Sequence, residues 1–413
     1  MFIEVSVIMI SHNKYPQNLL TLYSFQNQTY DPEKFEVIFV DDSSTDQTTT
    51  LSNLETPFTF KYVRTKHNVG RSRAKNIGIQ HASGKILIFL DVEMLVDPDF
   101  IEHHIHLHQT EENLVISCTN QQKIVYTVLD PKFNEKQIKR FYSMIKTKPK
   151  LLRKWKLSLS NHTKNMHLLL RYIKRIKRPV PLLGKQGIQS LFFHQLAYPD
   201  PTFPTIIRDY GPWLNGFHLP WIFCITRAVS FRKTLLDQVG YFNEEFAGWG
   251  SEDNELGYRL YKAGATFYDA PQIATYHQEH PYILTERKKE MIGNIVKFQQ
   301  IHPDIDVAVI TLPFIGKGSF VKASQVLHEY RTLSNQYPEQ NKTFRDTLKK
   351  GLQAALKMFL ENRSLVNLSE FVGLKDDEKW KETVLSELKI LRSDDRFKRL
   401  VKVFDELFGD IEN

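Results

Sequence analysis

An α/β fold, a mostly parallel sheet flanked by helices, is what the sequence predicts, and two observations predict it. Apolar runs of strand length alternate with helical patterns through the first hundred residues. Those runs are apolar at successive positions, as in strands buried on both faces of a parallel sheet. Composition sets the scale: 413 residues, 41% hydrophobic and 25% charged, describe a globular chain with room for two or three domains.

The elements follow in order. "VSVIMIS" (5–11) reads as a buried strand, and "NLLTLYSFQNQ" repeats apolar residues at helical spacing. "FEVIFVDDSSTDQTTTL" is a second strand that ends in acids, then offers Ser, Thr and Asp for a helix start. "FKYVRT" is a third strand, "GRSRAKNIGIQHAS" a helix and "GKILIFLD" a fourth strand. The polar stops Ser11–His12–Asn13, Asp41–Asp42 and Asp91–Glu93 all fall at strand carboxyl ends, where open parallel sheets bind ligands.

Asp91 and Glu93 are two apart, so a strand would turn both to one side. Paired hard oxygens on a polar rim suit Mg²⁺ or Mn²⁺. Asp41 and Asp42 end the second strand on the same edge, where a carboxylate accepts from a base N–H or ribose hydroxyls. Arg71, Arg73 and Lys75 open a helix just before the Asp91 strand, a setting for a diphosphate. A nucleoside end, a cationic middle and a metal describe a nucleoside diphosphate. The lack of G-x-G-x-x-G after the first strand argues against the rival reading, a dinucleotide enzyme.

These motifs, in this order over residues 3–105, resemble the N-terminal half of family 2 glycosyltransferases with the GT-A fold. The resemblance implies that Asp41 or Asp42 contacts the base, that the Arg71 region, with Arg73, seats the nucleotide, and that Asp91-Val92-Glu93 stands for the D-x-D metal motif. Glu93 departs from the usual second Asp, and its longer arm bears on metal preference.

A second cluster spans 243–281. In "GWGSEDNELGYRL", Ser251 is a candidate N-cap with acids in the first turn. Trp249 offers an apolar face for a sugar ring, while Gly248 and Gly250 let backbone come close. The stretch resembles the acceptor motif of galactosyltransferases and bacterial chondroitin-type polymerases. That resemblance implies Asp253 as the base that deprotonates an acceptor hydroxyl, with Glu252 beside it holding acceptor hydroxyls, and Trp249 and Gly250 lining the acceptor. It also makes His277 of "YHQEHP" the third metal ligand after Asp91 and Glu93, which moves the expected cofactor toward Mn²⁺, with Mg²⁺ second.

Charge is uneven. Lys132 to Lys185 holds 17 Lys or Arg and one acid, Glu135, in a chain whose net charge is +8. Leu168, Leu169, Leu170, Ile173 and Ile176 interleave with those cations, which suits either an anionic membrane surface or an anionic polymer acceptor. No nucleic-acid module accompanies them. The i,i+4 pair His104 and His108 in "IEHHIHLHQ" reads as part of a solvated or interface helix, and Asp46, Asp97 and Asp99 as turn and capping residues. Cys118 and Cys224 read as buried and inert.

The longest uncharged run, Tyr210 to Thr226, is too polar and short to span a bilayer. The N-terminus lacks a secretory pattern, so a cytoplasmic protein, either soluble or peripheral on the inner face of the membrane, is expected. The expected organisation is a nucleotide-sugar-binding half (1–120), a basic helical insertion (121–205), an acceptor-binding half (206–300) and a helical C-terminal region (301–413). The expected function is an inverting, metal-dependent transfer from a UDP-sugar to a glycan, cell-envelope polymer or other hydroxyl. The alternative is an inactive binding or scaffold protein that keeps the fold.

Overall fold

The computed structural model describes residues 2–154, 161–281, 284–409 and 411, so part of the basic segment, 155–160, lies outside the described residues. The chain forms two compact units. The first comprises Met1–Pro204, Phe223–Glu244 and Leu256–Ile283, and the second Thr205–Ile222, Glu245–Glu255 and Leu284–Asn413.

All the described strands lie in the first unit: β1 (Val5–Ser11), β2 (Phe35–Asp41), β3 (Thr59–Arg64), β4 (Ile86–Leu90), β5 (Met94–Val96), β6 (Leu114–Ser117), β7 (Gln122–Val125), β8 (Val128–Leu129), β9 (Val180–Pro181), β10 (Ala197–Pro199), β11 (Ala228–Arg232), β12 (Thr266–Asp269) and β13 (Thr275–Gln278). Seven form one sheet in the order β12-β6-β11-β4-β1-β2-β3. It is parallel throughout except where β11 runs against β4 and β6. The α/β sheet expected from the sequence is therefore present. β1, β2 and β4 are buried almost end to end, which explains their unbroken apolar runs.

The helices α1 (Gln17–Phe25) and α2 (Arg71–His81) fall where helical spacing places them. After β2 the sequence leads one to expect a capped helix. The structure has a short 3₁₀ stretch, Gln47–Asn53, whose first turn Asp46 caps by accepting from the Thr48 N–H.

The helix α3 (Phe100–Thr110) departs from expectation. His104 and His108 are fully buried rather than solvated. Ser230 of β11 explains it: His104 Nδ1 and His108 Nε2 each lie 2.8 Å from the Ser230 hydroxyl. A helix face with two imidazoles one turn apart can enter a core where a hydroxyl bonds one nitrogen of each, here leaving His108 Nδ1 buried without a partner. Cys118 and Cys224 are buried, as expected.

A second, four-stranded sheet, β10-β7-β13-β5, carries its own core. Into it the basic segment's helices Glu135–Ile145 and His162–Arg175 bury Phe141, Ile145, Leu169 and Ile173. Two of the apolar residues expected at an anionic membrane or polymer surface thus build core, while Leu168 and Tyr172 stay exposed. No helix among the described residues is long and apolar enough to cross a membrane.

The second unit is helical. Its helix Lys342–Leu360 passes so close to Phe408 that a Cβ on Gly351 would meet that ring at 2.4 Å. The amphipathic C-terminal pattern becomes two helices, Glu378–Arg392 and Lys398–Phe408, broken by Asp394.

The buried imidazoles have a measurable consequence. Burial, with the nearby Arg232 charge, pushes His108 down to about 3, and burial with His108 and His103 pushes His104 well down too. An unfolded imidazole takes up its proton near pH ~6.5 and these do not. Their contribution is complete above that pH and is lost as pH falls toward about 3. Thermal unfolding of His108→Gln should show a shallower fall of Tm between neutral pH and pH ~4 than the parent chain; an unchanged slope contradicts the assignment.

Candidate active site

The site of the first unit begins where β4 ends. Asp91 leaves the large sheet through an N–H···O bond to Arg227 at 3.1 Å, and the Met94 N–H returns to the Asp91 carbonyl at 3.0 Å. Residues 91–93 thus form a tight turn between two sheets rather than a strand, so strand alternation is not what brings Asp91 and Glu93 together. The second sheet then supplies the partners. β13 runs antiparallel to β5 with His277 opposite Met94, and the Gln278 N–H donates to the Glu93 carbonyl at 2.8 Å.

This register brings Glu93, His277 and His280 into one cluster, each offering a ligand atom within 4.8 Å of the others. His280, three residues after His277, was legible as H-x-x-H but carried no role in the sequence reading. A carboxylate oxygen with two imidazole nitrogens suits a first-row transition ion such as Mn²⁺ better than Mg²⁺, which prefers oxygen ligands alone, so the residues fit such a metal.

Burial pushes the Glu93 carboxyl up, but the Lys14 ammonium beside it outweighs burial and holds Glu93 well below the usual range. Burial and His280 bring His277 down to about 3 against the pull of Glu93, so its imidazole is neutral, the form that ligates metal. Asp91 is pushed up, first by burial and then by the Glu93 charge; Arg71, Lys75 and Arg227 oppose this. Arg227 was not among the expected site residues.

Three loops frame this edge. Asn13, in the left-handed region at φ 55°, receives the Thr45 N–H on its side-chain oxygen at 2.7 Å, and its own N–H reaches Ser44 at 2.9 Å. Asp41 is fully buried and accepts from Tyr62 at 2.5 Å, Arg64 at 2.6 Å and the Ser44 N–H at 2.8 Å. Asp42 accepts from Thr65 at 3.0 Å and from the Val69 and Gly70 N–H groups at 2.8 and 3.1 Å, which ties it to the start of α2. The expected basic trio divides. Arg71 acts on Asp91, Lys75 is buried with its ammonium on Thr226 at 2.7 Å, and Arg73 is largely exposed with Glu244 at 4.0 Å.

The acceptor stretch begins in the second unit. Gly248, Gly250 and Ser251 have φ of 76°, 98° and 72°, so the loop before the helix Glu252–Lys262 is wound through left-handed backbone. One face of the helix Leu284–Ile301 holds it. Glu290 accepts the Trp249 N–H at 2.9 Å, the Asn294 amide donates to the Ala247 and Gly250 carbonyls at 2.9 and 2.8 Å, and Arg287 lies 5.8 Å from the Trp249 ring centre. Glu252 is buried and Asp253 partly exposed, the latter accepting from the Asn254 N–H at 2.9 Å. Glu290 and Asn294 were missed, although Arg287, Glu290, Asn294 and Lys297 follow one helical stripe.

A parallel sheet whose carboxyl edge gathers acids, imidazoles and cations is the frame of GT-A-fold glycosyltransferases. The comparisons agree: residues 6–174 match Glycosyl transferase family 2 and residues 214–283 match the N-terminal domain of galactosyltransferase, so the chain carries a family 2 glycosyltransferase domain. An uncharacterized glycosyltransferase, YfnE of Bacillus subtilis, is 32% identical over 67% of this chain and 65% of its own length. Hyaluronan synthase of Pasteurella multocida is 28% identical over 71% of this chain and 26% of its own, and chondroitin synthase of Escherichia coli is 24% identical over 67% and 35%. The chain therefore spans less than two thirds of the length of these relatives.

Asn294→Ala should release both carbonyls of the tryptophan loop, lower stability by about 1–3 kcal/mol and shift the Trp249 contribution to fluorescence. An unaltered spectrum and Tm would show that the helix does not hold the loop.

Proposed function

We propose that this chain moves a sugar from a UDP-sugar to an acceptor hydroxyl with inversion at the anomeric carbon, aided by Mn²⁺ or Mg²⁺. The observation that carries the reading is the Glu93, His277 and His280 cluster at the carboxyl edge of the sheet, with Asp91 beside it amid the fields of Arg71, Lys75 and Arg227. These three residues, joined by Asp91, would hold the ion, whose positive charge would stabilise the leaving diphosphate. Arg71 and Lys75 at the start of α2 would seat that diphosphate, with Arg73 nearer the rim. Asp41 or Asp42 would accept the base N–H; Asp41 is tied to Tyr62 and Arg64, and Asp42 to Thr65 and the start of α2.

Asp253 would take the proton of the attacking hydroxyl, and Glu252 would hold neighbouring hydroxyls. Trp249 and Gly250 would line the acceptor ring. The match of 214–283 to a galactosyltransferase domain supports this half of the reading. One base without a positioned nucleophile is the requirement of inverting transfer. The relatives named for hyaluronan and chondroitin support a glycan acceptor and a role in polysaccharide synthesis. Burial of Leu169 and Ile173 in the core favours an anionic cell-envelope polymer over an inner membrane face as partner of residues 132–185.

The test is transfer from a panel of UDP-sugars to glycan acceptors, followed as product. Asp253→Asn should lower turnover by roughly 10²–10⁴-fold while leaving stabilisation by the UDP-sugar in place. Full activity in Asp253→Asn removes the base assignment, and stabilisation by no sugar nucleotide removes the donor site.

A further inference from the structure

Lys14 is not a metal ligand, yet it lies within the metal cluster. Its ammonium is 2.7 Å from Glu93 Oε1 and 3.4 Å from His280 Nε2. His280 Nε2 is itself 3.3 Å from the same Glu93 oxygen. The ammonium therefore touches two of the three groups that a divalent ion would use. Little solvent reaches the contact: the side chains are 24% exposed for Lys14 and 11% for both Glu93 and His280.

A metal needs the Glu93 oxygen at about 2.0–2.2 Å and the lone pair of a neutral His280 nitrogen. A lysine ammonium has three donors and no lone pair, so it uses those same acceptor sites. A unit charge and a divalent charge in one dry pocket also repel strongly. The two cations are thus alternatives at this position.

The backbone on both sides of Lys14 is anchored. Asn13 on one side is bonded to Ser44 and Thr45, and the Tyr15 N–H on the other donates to Asp46 at 2.8 Å. The loop that carries Lys14 is therefore anchored to the loop after β2, on the nucleoside side of the edge. A displaced ammonium remains tethered there by a four-carbon stem, as a compact point charge suited to phosphate oxygens.

We propose that Lys14 is a built-in placeholder cation, which neutralises Glu93 in the metal-free protein and moves to the donor's diphosphate when a divalent ion takes the cluster. This rests on the metal-dependent donor reading above. Its consequence is ordered, linked binding. Mn²⁺ alone must displace the ammonium, whereas a nucleoside diphosphate gives the ammonium a new partner and so raises Mn²⁺ affinity; by linkage Mn²⁺ raises nucleotide affinity equally.

The experiment is Mn²⁺ titration by electron paramagnetic resonance, with and without UDP, in the parent chain and in Lys14→Met, Lys14→Arg and Lys14→Met/His280→Ala. Thermal unfolding of each variant checks that it is folded. In Lys14→Met, Mn²⁺ alone should bind at least tenfold more tightly than in the parent, and the UDP-dependent gain should shrink. Lys14→Arg should keep the weak binding of the parent, and adding His280→Ala should abolish the tight site. Equal or weaker Mn²⁺ binding in Lys14→Met, with the UDP-dependent gain intact, overturns the placeholder role and leaves the metal reading standing. If no chain binds Mn²⁺ with or without UDP, the metal reading fails and the placeholder falls with it. If Lys14→Met does not fold, Lys14→Arg decides alone: parent-like weak binding supports the placeholder, and tight binding without UDP overturns it.

Discussion

The site rests on one backbone arrangement: the chain leaves the seven-stranded sheet at Leu90, turns through Asp91–Glu93 and enters the second sheet at Met94. The turn is closed on both sides, by the Met94 N–H on the Asp91 carbonyl and by the Gln278 N–H on the Glu93 carbonyl. The second bond sets the register that places His277 opposite Met94. A slip of one residue would send His277 to the other face and leave Glu93 without its imidazoles. The core beneath the four-stranded sheet, including Tyr276 and the helices of the basic segment, keeps that register in place.

With the register set, electrostatics follow. A buried carboxylate is costly unless matched, and Glu93 has Lys14 and His280 around it. Asp91 shares the same edge with cations from α2 and from the approach to β11. Negative charge is thus concentrated at one spot with positive charge around it, the arrangement that the proposed divalent ion and diphosphate would complete. The tryptophan loop of the second unit is built by a different device: left-handed backbone at Gly248, Gly250 and Ser251, secured by Glu290 and Asn294.

Much of the large sheet was legible because its central strands are buried on both faces and write that burial as continuous apolar runs. The polar stops after β1, β2 and β4 marked the binding edge for the same reason. The second sheet was not legible. Its strands are three or four residues long and owe their existence to pairing across distant segments. The kinship of Glu93 and His277 came from resemblance alone, and His280 needed the turn after β13 to bring it back. Lys14 escaped notice because a lysine after a strand reads as a solvated loop residue. The His104 and His108 pair was visible at i,i+4, but only Ser230, 122 residues beyond His108, decides that it is buried.

The most direct measurement is diffraction at the manganese absorption edge from crystals grown with UDP and Mn²⁺. An anomalous peak bounded by Glu93, His277 and His280, with the diphosphate beside it and α2 at its other end, is the expected result. Bound UDP with no manganese at that cluster, or manganese held elsewhere, would contradict the assignment of this edge as the metal-assisted donor site.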